Sequence, residues 1–371
     1  MLIGIDASRA IIAQRTGTES YSLQIIRHMI SEGGARQFRL YCRSEPPHGL
    51  FPDSPNVEIL IIHKARFWTH AGLGPAVRRD PPDVLFVPAH VIPWPNAGNT
   101  PSVVTIHDIG FRHYPEAHPM AQRLYLDWST GHSARVATKV IAVSHATADD
   151  LTSLYRVPKS KIRVIHSGVN KDLKSDDNLP EIVAVRDRYG ISGPYILSVG
   201  SLHARKNLLR LVEAFRQVVD VIPEMRLAFA GRPGWGHDHL RQRIHALGLE
   251  NQITFCGYVP DQDMRGLYAG TRAFVFPTLY EGFGFPALEA MACGAPVACS
   301  NTSSLPEIVG EAALTFDPED VTSIAESLLR VLTDEELRAL MVRRGLERAK
   351  QFSWKSAARD TLELLEAVAS S

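Results

Sequence analysis

Four cysteines in 371 residues, Cys42, Cys256, Cys293 and Cys299, form no CxxC spacing and no dense framework, so a disulfide-stapled secreted fold is excluded. The chain lacks any run approaching the roughly 18 to 20 apolar residues needed to span a bilayer. Its opening, MLIGIDAS, is too short in apolar length and too acidic for a signal peptide. Surplus charge is missing as well: 40 Lys and Arg balance 40 Asp and Glu, and no general affinity for nucleic acid follows. No Ser-His-Asp or Cys-His arrangement with a nucleophile elbow is visible. The expectation is a cytoplasmic protein, with peripheral contact to the inner face of the membrane as its closest approach to lipid.

What is present is a length too great for one ordinary core, and an alternation of strand and helix signals. Leu2–Ile5, Phe38–Cys42, Val57–Ile62, Val84–Val87, Val103–Ile106 and Val140–Val143 read as strands in the first half. Tyr195–Val199, Arg226–Ala230, Ile253–Phe255, Ala273–Phe276, Val297–Cys299 and Ala313–Phe316 read so in the second. Helical patterning fills the intervals, and two βα series predict two doubly wound α/β domains. The expected division is 1–170, a polar linker over 171–194, and 195–353, with a final helix at about 354–371 packing back on the first domain. Ligands of such sheets bind beyond the strands' carboxyl ends, which directs attention to the loops there.

The densest of these loops is Tyr280-Glu-Gly-Phe-Gly-Phe-Pro-Ala-Leu-Glu-Ala290. Gly282 and Gly284 allow close approach of backbone to a ligand, and Pro286 suits a first helical turn. Amide groups at that helix start attract phosphate. Glu281 and Glu289 cannot both face a phosphate, but both can accept from neutral hydroxyls on either side of it. A diphosphate flanked by two polyols is a nucleotide sugar. Two other readings stand beside this one. Glu289 suits the first turn of any helix, and Gly282-x-Gly284-x-x-Ala287 formally matches a dinucleotide fingerprint. The fingerprint expects an acid at the end of the next strand, where this chain has Ser-Asn-Thr-Ser-Ser.

Three further loops fit the same ligand. Gly200-Ser201-Leu-His-Ala-Arg205-Lys206-Asn places two cations after a strand, suited to a diphosphate, or simply a solvated pair at a helix entrance. His107-Asp108 ends a first-domain strand and can exchange hydrogen bonds with a sugar hydroxyl, or be an ordinary loop histidine. Gly17 and Thr18 follow the first strand, where backbone amides can meet a phosphate and where threonine caps are equally at home. Asp261-Gln-Asp263 has a DxD spacing, but capping of the helix after Pro260 explains it better, and His237-Asp-His239 reads as a polar loop. No metal and no cofactor is expected.

With Glu281 and Glu289 spaced as E-x7-E, the Arg205-Lys206 loop, the Gly17 loop, His107-Asp108, Ser303-Ser-Leu-Pro-Glu307 and Phe352-Ser-Trp354, the chain resembles the family 4 retaining glycosyltransferases over nearly its full length. The resemblance implies the GT-B fold, two Rossmann-like domains around a cleft. It implies that Arg205 and Lys206 hold the diphosphate, and that Glu289 takes the ribose. It assigns Glu281, with Phe283 and Gly284, to the transferred sugar, and the nucleobase to Tyr258 and Val259. It places His107, with Asp108, by the donor sugar, and Gly17 and Thr18 over the phosphates; Gly200, Ser201, Gly282 and Leu288 complete the donor set. Some members carry arginine where this chain has Ser201, so the positive charge rests on Arg205 and Lys206. The implied activity is metal-independent hexosyl transfer, from GDP-mannose or UDP-glucose to a glycan or lipid-linked glycan, in surface polysaccharide assembly. An NAD-dependent oxidoreductase and a non-catalytic sugar-nucleotide-binding protein are the alternatives. Lys64–Arg79, where Phe67, Trp68 and Leu73 mix with four cations, is the expected membrane contact.

Overall fold

The computed structural model describes residues 1–94, 98–117, 119–170, 172–174, 179–234 and 237–371. It contains two compact units, Met1–Gly168 with Ser353–Ser371, and Val169–Phe352. Five residues of the expected linker, 171 and 175–178, lie outside the described residues.

In the first unit the strands are β1 (Leu2–Asp6), β2 (Gln37–Cys42), β3 (Val57–Ile61), β4 (Val84–Val87), β5 (Ser102–Ile106), β6 (Lys139–Ala142) and β7 (Ile162–Val164). They pair in the order β3-β2-β1-β4-β5-β6-β7, all parallel. The second unit holds β8 (Tyr195–Val199), β9 (Arg226–Ala230), β10 (Ile253–Gly257), β11 (Ala273–Phe276), β12 (Val297–Ser300) and β13 (Leu314–Phe316). Their order is β10-β9-β8-β11-β12-β13, again all parallel. Each sheet therefore reverses direction once, between β1 and β4 and between β8 and β11. Such a reversal opens a crevice at the carboxyl ends of the two strands that flank it.

The central strands are apolar without interruption because helices cover both faces of a parallel sheet. Every residue of β4, β5, β11 and β12 is buried. β3, at an edge, leaves Ile59 and Leu60 exposed. The short edge strand β7, absent from the sequence reading, is only three residues long and offers too little pattern to detect.

Two expectations need correction. The stretch read as linker contains a helix, Leu179–Arg188, despite its polar composition. It packs on the helix Asp261–Ala269. Val185 is buried there, Arg265 is ion-paired with Glu181, and Arg188 contacts Asp263 at 2.5 Å. At Lys64–Arg79, Trp68 and Leu73 are not on the surface. A π-helix, Trp68–Leu73, turns both into the core of the first unit, and the Trp68 indole N–H donates to the Ile62 carbonyl at 3.0 Å. Only Phe67 of the three apolar side chains is exposed.

The terminal helix Trp354–Ala369 packs on the helix Gly17–Glu32, with ion pairs Arg36–Glu366 and Arg359–Glu32. Where it begins, Gly168 lies so close that a Cβ there would stand 2.1 Å from the Trp354 backbone nitrogen. Backbone cannot yield as a flexible side chain does, so Gly168→Ala is expected to cost about 2 kcal/mol or more. Hydrogen exchange tests this: protection should fall in Trp354–Ala369 and the helix beneath it, and hold in β8–β13.

Candidate active site

The loops after β8 and β11 meet at the reversal of the second sheet. The chain leaves β8 through Gly200, at φ 140°, whose N–H donates to the Ala230 carbonyl at 2.9 Å. A Cβ on neighbouring Gly231 would sit 1.8 Å from the Gly200 carbonyl oxygen, so the two strand ends touch backbone to backbone. The Lys206 stem lies over Gly200, 3.3 Å from where a Cβ would be. A single 3-10 turn, Ala204–Lys206, then presents Arg205 and Lys206, and Asn207 in the left-handed region starts the helix Leu208–Val221.

Both cations converge on Glu281. Its Oε1 accepts from Lys206 Nζ, from Arg205 at 3.1 Å, and lies 2.9 Å from the Thr278 hydroxyl. Arg205 also donates to the Tyr280 carbonyl, and its own carbonyl accepts from Leu279 N–H at 2.9 Å. Lys206 Nζ stands 4.8 Å from the Phe276 ring centroid. Burial raises the Glu281 carboxyl, but the attraction of Lys206 and Arg205, with hydrogen bonds from Lys206 and Thr278, outweighs it and holds the group below its ordinary value. The trio is thus ionised near neutrality and carries one net positive charge, which an incoming polyanion would compensate.

The rest of the cradle is set by Ser303 and Ser304. Ser303, in the left-handed region, accepts from the Glu281 N–H at 2.9 Å. The Ser304 hydroxyl lies 2.9 Å from both the Glu281 and Phe283 carbonyls. Gly284, at φ 101°, leads into the helix Phe285–Ala292, and a Cβ on it would meet Leu305 at 2.6 Å. Gly282 is buried in this loop.

Glu289 stands apart from the ion cluster. Its Oε2 accepts from the Tyr268 hydroxyl at 2.9 Å. Burial pushes its carboxyl up to about 7, against the Tyr268 hydrogen bond, with Asp261 adding repulsion. The two glutamates of the motif therefore shift in opposite directions: one is paired with cations, while the other is buried with a phenol as its partner.

Other members of the predicted set have plainer surroundings. Leu288 is fully buried and its N–H bonds to the Gly284 carbonyl at 3.3 Å, so neither group is open to a ligand. Phe283 is buried beside Phe285 and Phe352. Val259 is buried, whereas Tyr258 is exposed with the Arg232 guanidinium 4.9 Å from its ring. Ser201 is exposed, and its carbonyl accepts from the His203 N–H at 2.8 Å. In the DxD stretch the helix cap is Pro260, not an aspartate. Asp263 is a buried first-turn acid bonded to Arg188 and, at 2.8 Å, to the Tyr189 hydroxyl. His237-Asp-His239 opens the helix His237–Ala246 rather than lying in a loop.

In the first unit, Gly17 and Thr18 form the first turn of the helix Gly17–Glu32 rather than a free loop. Thr16 is its cap: its N–H donates to Glu19 at 3.0 Å, and Glu19 also holds Arg9 at 3.1 Å. His107, at the end of β5, is buried with its Nε2 2.8 Å from the Pro88 carbonyl. A carbonyl only accepts, so Nε2 carries the proton and Nδ1 is left as an acceptor. The Tyr21 ring meets His107 edge-on at 4.6 Å. Burial first, and His90 second, depress its pKa to about 3, so His107 is a neutral hydrogen-bonding group and not a cation. Asp108 accepts from the Gly110 N–H at 3.1 Å.

Sequence reasoning missed Thr278, Tyr268 and His90. Nothing local marks Thr278 or Tyr268, which matter through partners distant in the chain. His90 does carry a signal, since it follows β4 as His107 follows β5. It adopts φ 40°, its ring lies 5.2 Å from that of His107, and its buried Nδ1 has no partner.

Two parallel sheets of this topology, with the charged loops at the second sheet's reversal, define the GT-B class of glycosyltransferase fold. Residues 15–173 match the family model described as Glycosyltransferase Family 4, and residues 186–348 the one described as Glycosyl transferases group 1. The chain is 38% identical over 268 residues to O-antigen chain mannosyltransferase B of Escherichia coli, covering 70% of this chain and 69% of that protein. It is 32% identical over 227 residues to the serotype-specific mannosyltransferase WbdA of Escherichia coli, 60% of this chain but 28% of that protein. Among solved structures it resembles sucrose-phosphate synthase from Thermosynechococcus elongatus, with TM-score 0.78, 21% identity and 99% of both chains covered. It also resembles Anabaena HepE in complex with UDP-glucose, with TM-score 0.77, 19% identity and again 99% of both chains. The chain belongs to the family 4 glycosyltransferases and is a glycosyltransferase. That membership removes the dinucleotide reading of Gly282–Ala287.

The raised Glu289 has a checkable consequence. The folded state binds that proton more tightly than the unfolded one, so the stability it contributes is fully present below about pH 4.5 and is lost as pH rises through about 7. Glu289→Gln keeps an acceptor for Tyr268 and removes the ionisation. Relative to this variant, the wild-type chain should lose about 2–3 kcal/mol between pH 4.5 and 8 in urea unfolding of the second unit. Parallel pH profiles would show that Glu289 is not shifted.

Proposed function

We propose that this chain transfers a mannosyl group from GDP-mannose, with retention and without a metal, to a growing glycan of a surface polysaccharide. The observation that carries the reading is the Glu281 carboxylate bridging Arg205 and Lys206 at the sheet reversal. The mannosyltransferase names of the relatives support the sugar, and of the two expected donors, GDP-mannose and UDP-glucose, GDP-mannose is the one that carries it.

In this reading the diphosphate takes Lys206 and Arg205 as its partners and releases the oxygens of Glu281 to accept from hydroxyls of the transferred sugar. The bond between the anomeric carbon and the phosphate oxygen breaks while the acceptor oxygen attacks from the same face. The proton of that hydroxyl passes to the departing phosphate oxygen. Fixed cations stabilise the charge as it develops, a role in which loss of one donor typically costs about 10²–10³ in rate. Glu289 accepts from the ribose diol, Tyr258 and Val259 border the base, and neutral His107, with Asp108, bonds to the sugar. Gly17 and Thr18 meet the phosphates through the first helical turn. The membrane contact through Lys64–Arg79 is left with Phe67 and the cations, and the reading does not need it.

Lys206→Ala and Glu281→Ala should each lower kcat about 100-fold or more, with far-UV circular dichroism unchanged. Near-wild-type turnover in both would remove the assignment. Proton NMR of the product should show the α configuration of the donor preserved. Donor binding without transfer or hydrolysis would instead point to a sugar-nucleotide-binding protein.

A further inference from the structure

The first unit carries an exposed aromatic cluster that none of the site residues above accounts for. Trp94 is 57%, Tyr125 48% and Trp128 47% exposed, values far from those of core aromatics. Their rings are mutually arranged: Trp94 and Trp128 at 6.5 Å and 72°, Tyr125 and Trp128 at 6.2 Å and 38°. Trp128 also meets His70 edge-on at 6.1 Å and stacks on His132 at 5.4 Å and 6°.

The cluster is built onto the same edge of the sheet as His107. The chain leaving β4 passes Pro88, whose carbonyl holds His107, then His90. It is next pinned by Ile92 N–H to the Ser133 hydroxyl at 2.9 Å, and ends with Trp94 N–H donating to His70 Nδ1 at 2.9 Å. Tyr125 lies in the first half and Trp128 at the midpoint of the helix Met120–Val136, which the chain enters after leaving β5. That is the edge at which ligands of doubly wound sheets bind.

We propose that Trp94, Tyr125 and Trp128, with His70 and His132, form a subsite for a neutral oligosaccharide, holding sugars of the acceptor chain beyond the one that reacts. The proposal rests on the glycosyltransferase reading for its acceptor. Pyranose rings present a face of C–H groups that suits the electron-rich face of an indole or phenol, while their hydroxyls need donors and acceptors at the rim. The rim here supplies both, since the hydroxyl of the exposed Tyr125 donates and accepts. With Nδ1 occupied, His70 has Nε2 left to donate. His132 hydrogen-bonds the Pro93 carbonyl and its Nε2 is buried, so its contribution is the ring stacked on Trp128. Burial depresses the pKa of both histidines, so the rim is uncharged at neutral pH and matches a neutral glycan better than an anionic lipid surface.

Tryptophan fluorescence titration with mannose and glucose oligomers of two to five units tests this without donor or turnover. Affinity should rise with oligomer length, and Trp128→Ala and Trp94→Ala should each weaken it about tenfold or more. GDP binding, followed separately by thermal shift, reports on the second unit, so failure of the donor reading is distinguishable from failure of the subsite. No response to any oligomer overturns the proposal. So does a response that both alanine variants retain in full. Sedimentation with phosphatidylglycerol vesicles that both variants abolish, with no oligosaccharide response, would make the cluster a lipid contact instead.

Discussion

One carboxylate organises the second unit's site. Glu281 ties the loop after β8 to the loop after β11 by accepting from Lys206 and Arg205, residues about 75 positions away in the chain. The contact is possible because those strands are neighbours at the sheet reversal, and because Gly200 leaves room for the Lys206 stem. Everything nearby supports it: Thr278 beside the carboxylate, Ser303 and Ser304 on its backbone, Phe276 under the ammonium. Half-buried charges of this kind are costly unless paired, so the trio holds its geometry before any ligand arrives.

The same arrangement explains why a motif with two glutamates can serve a phosphorylated ligand. Glu281 is kept ionised by cations that a diphosphate can claim, and Glu289 is kept near its midpoint by burial. Before a ligand arrives the Glu281 charge is therefore compensated, and once the diphosphate claims the cations its oxygens are left to the hydroxyls of the sugar. In the first unit His107 is neutral for a related reason: burial and the neighbouring His90 keep the proton count at one, and the bond from Nε2 to the Pro88 carbonyl leaves Nδ1 to accept.

Much of the fold was legible because parallel strands buried on both faces are written as apolar runs. β4, β8, β9 and β11 fall at their expected limits. The Leu179–Arg188 helix was hidden by its charge, since Arg188 and Glu181 hold it through Asp263 and Arg265, partners roughly 75 to 85 positions away. Trp68 and Leu73 were misread because a π-helix does not follow the 3.6-residue period on which surface and core are told apart. Among site residues, the strand-end positions of Arg205, Lys206, Glu281 and His107 could be read directly. The pairing of Glu281 with both cations, and of Glu289 with Tyr268, could not, because sequence spacing carries no cross-strand distances. Leu288 shows the converse: its place in the motif is conspicuous, yet its side chain belongs to the core.

The account turns on whether a nucleoside diphosphate claims the cations that Glu281 now holds. Calorimetric titration of GDP, with and without Mg²⁺, into the wild-type chain and Glu281→Gln measures this directly. If the diphosphate displaces Glu281, removing its charge frees both cations, so Glu281→Gln should bind GDP as tightly as wild type or more tightly, with no dependence on the metal. Binding that requires Mg²⁺, or that collapses in Glu281→Gln, would contradict it.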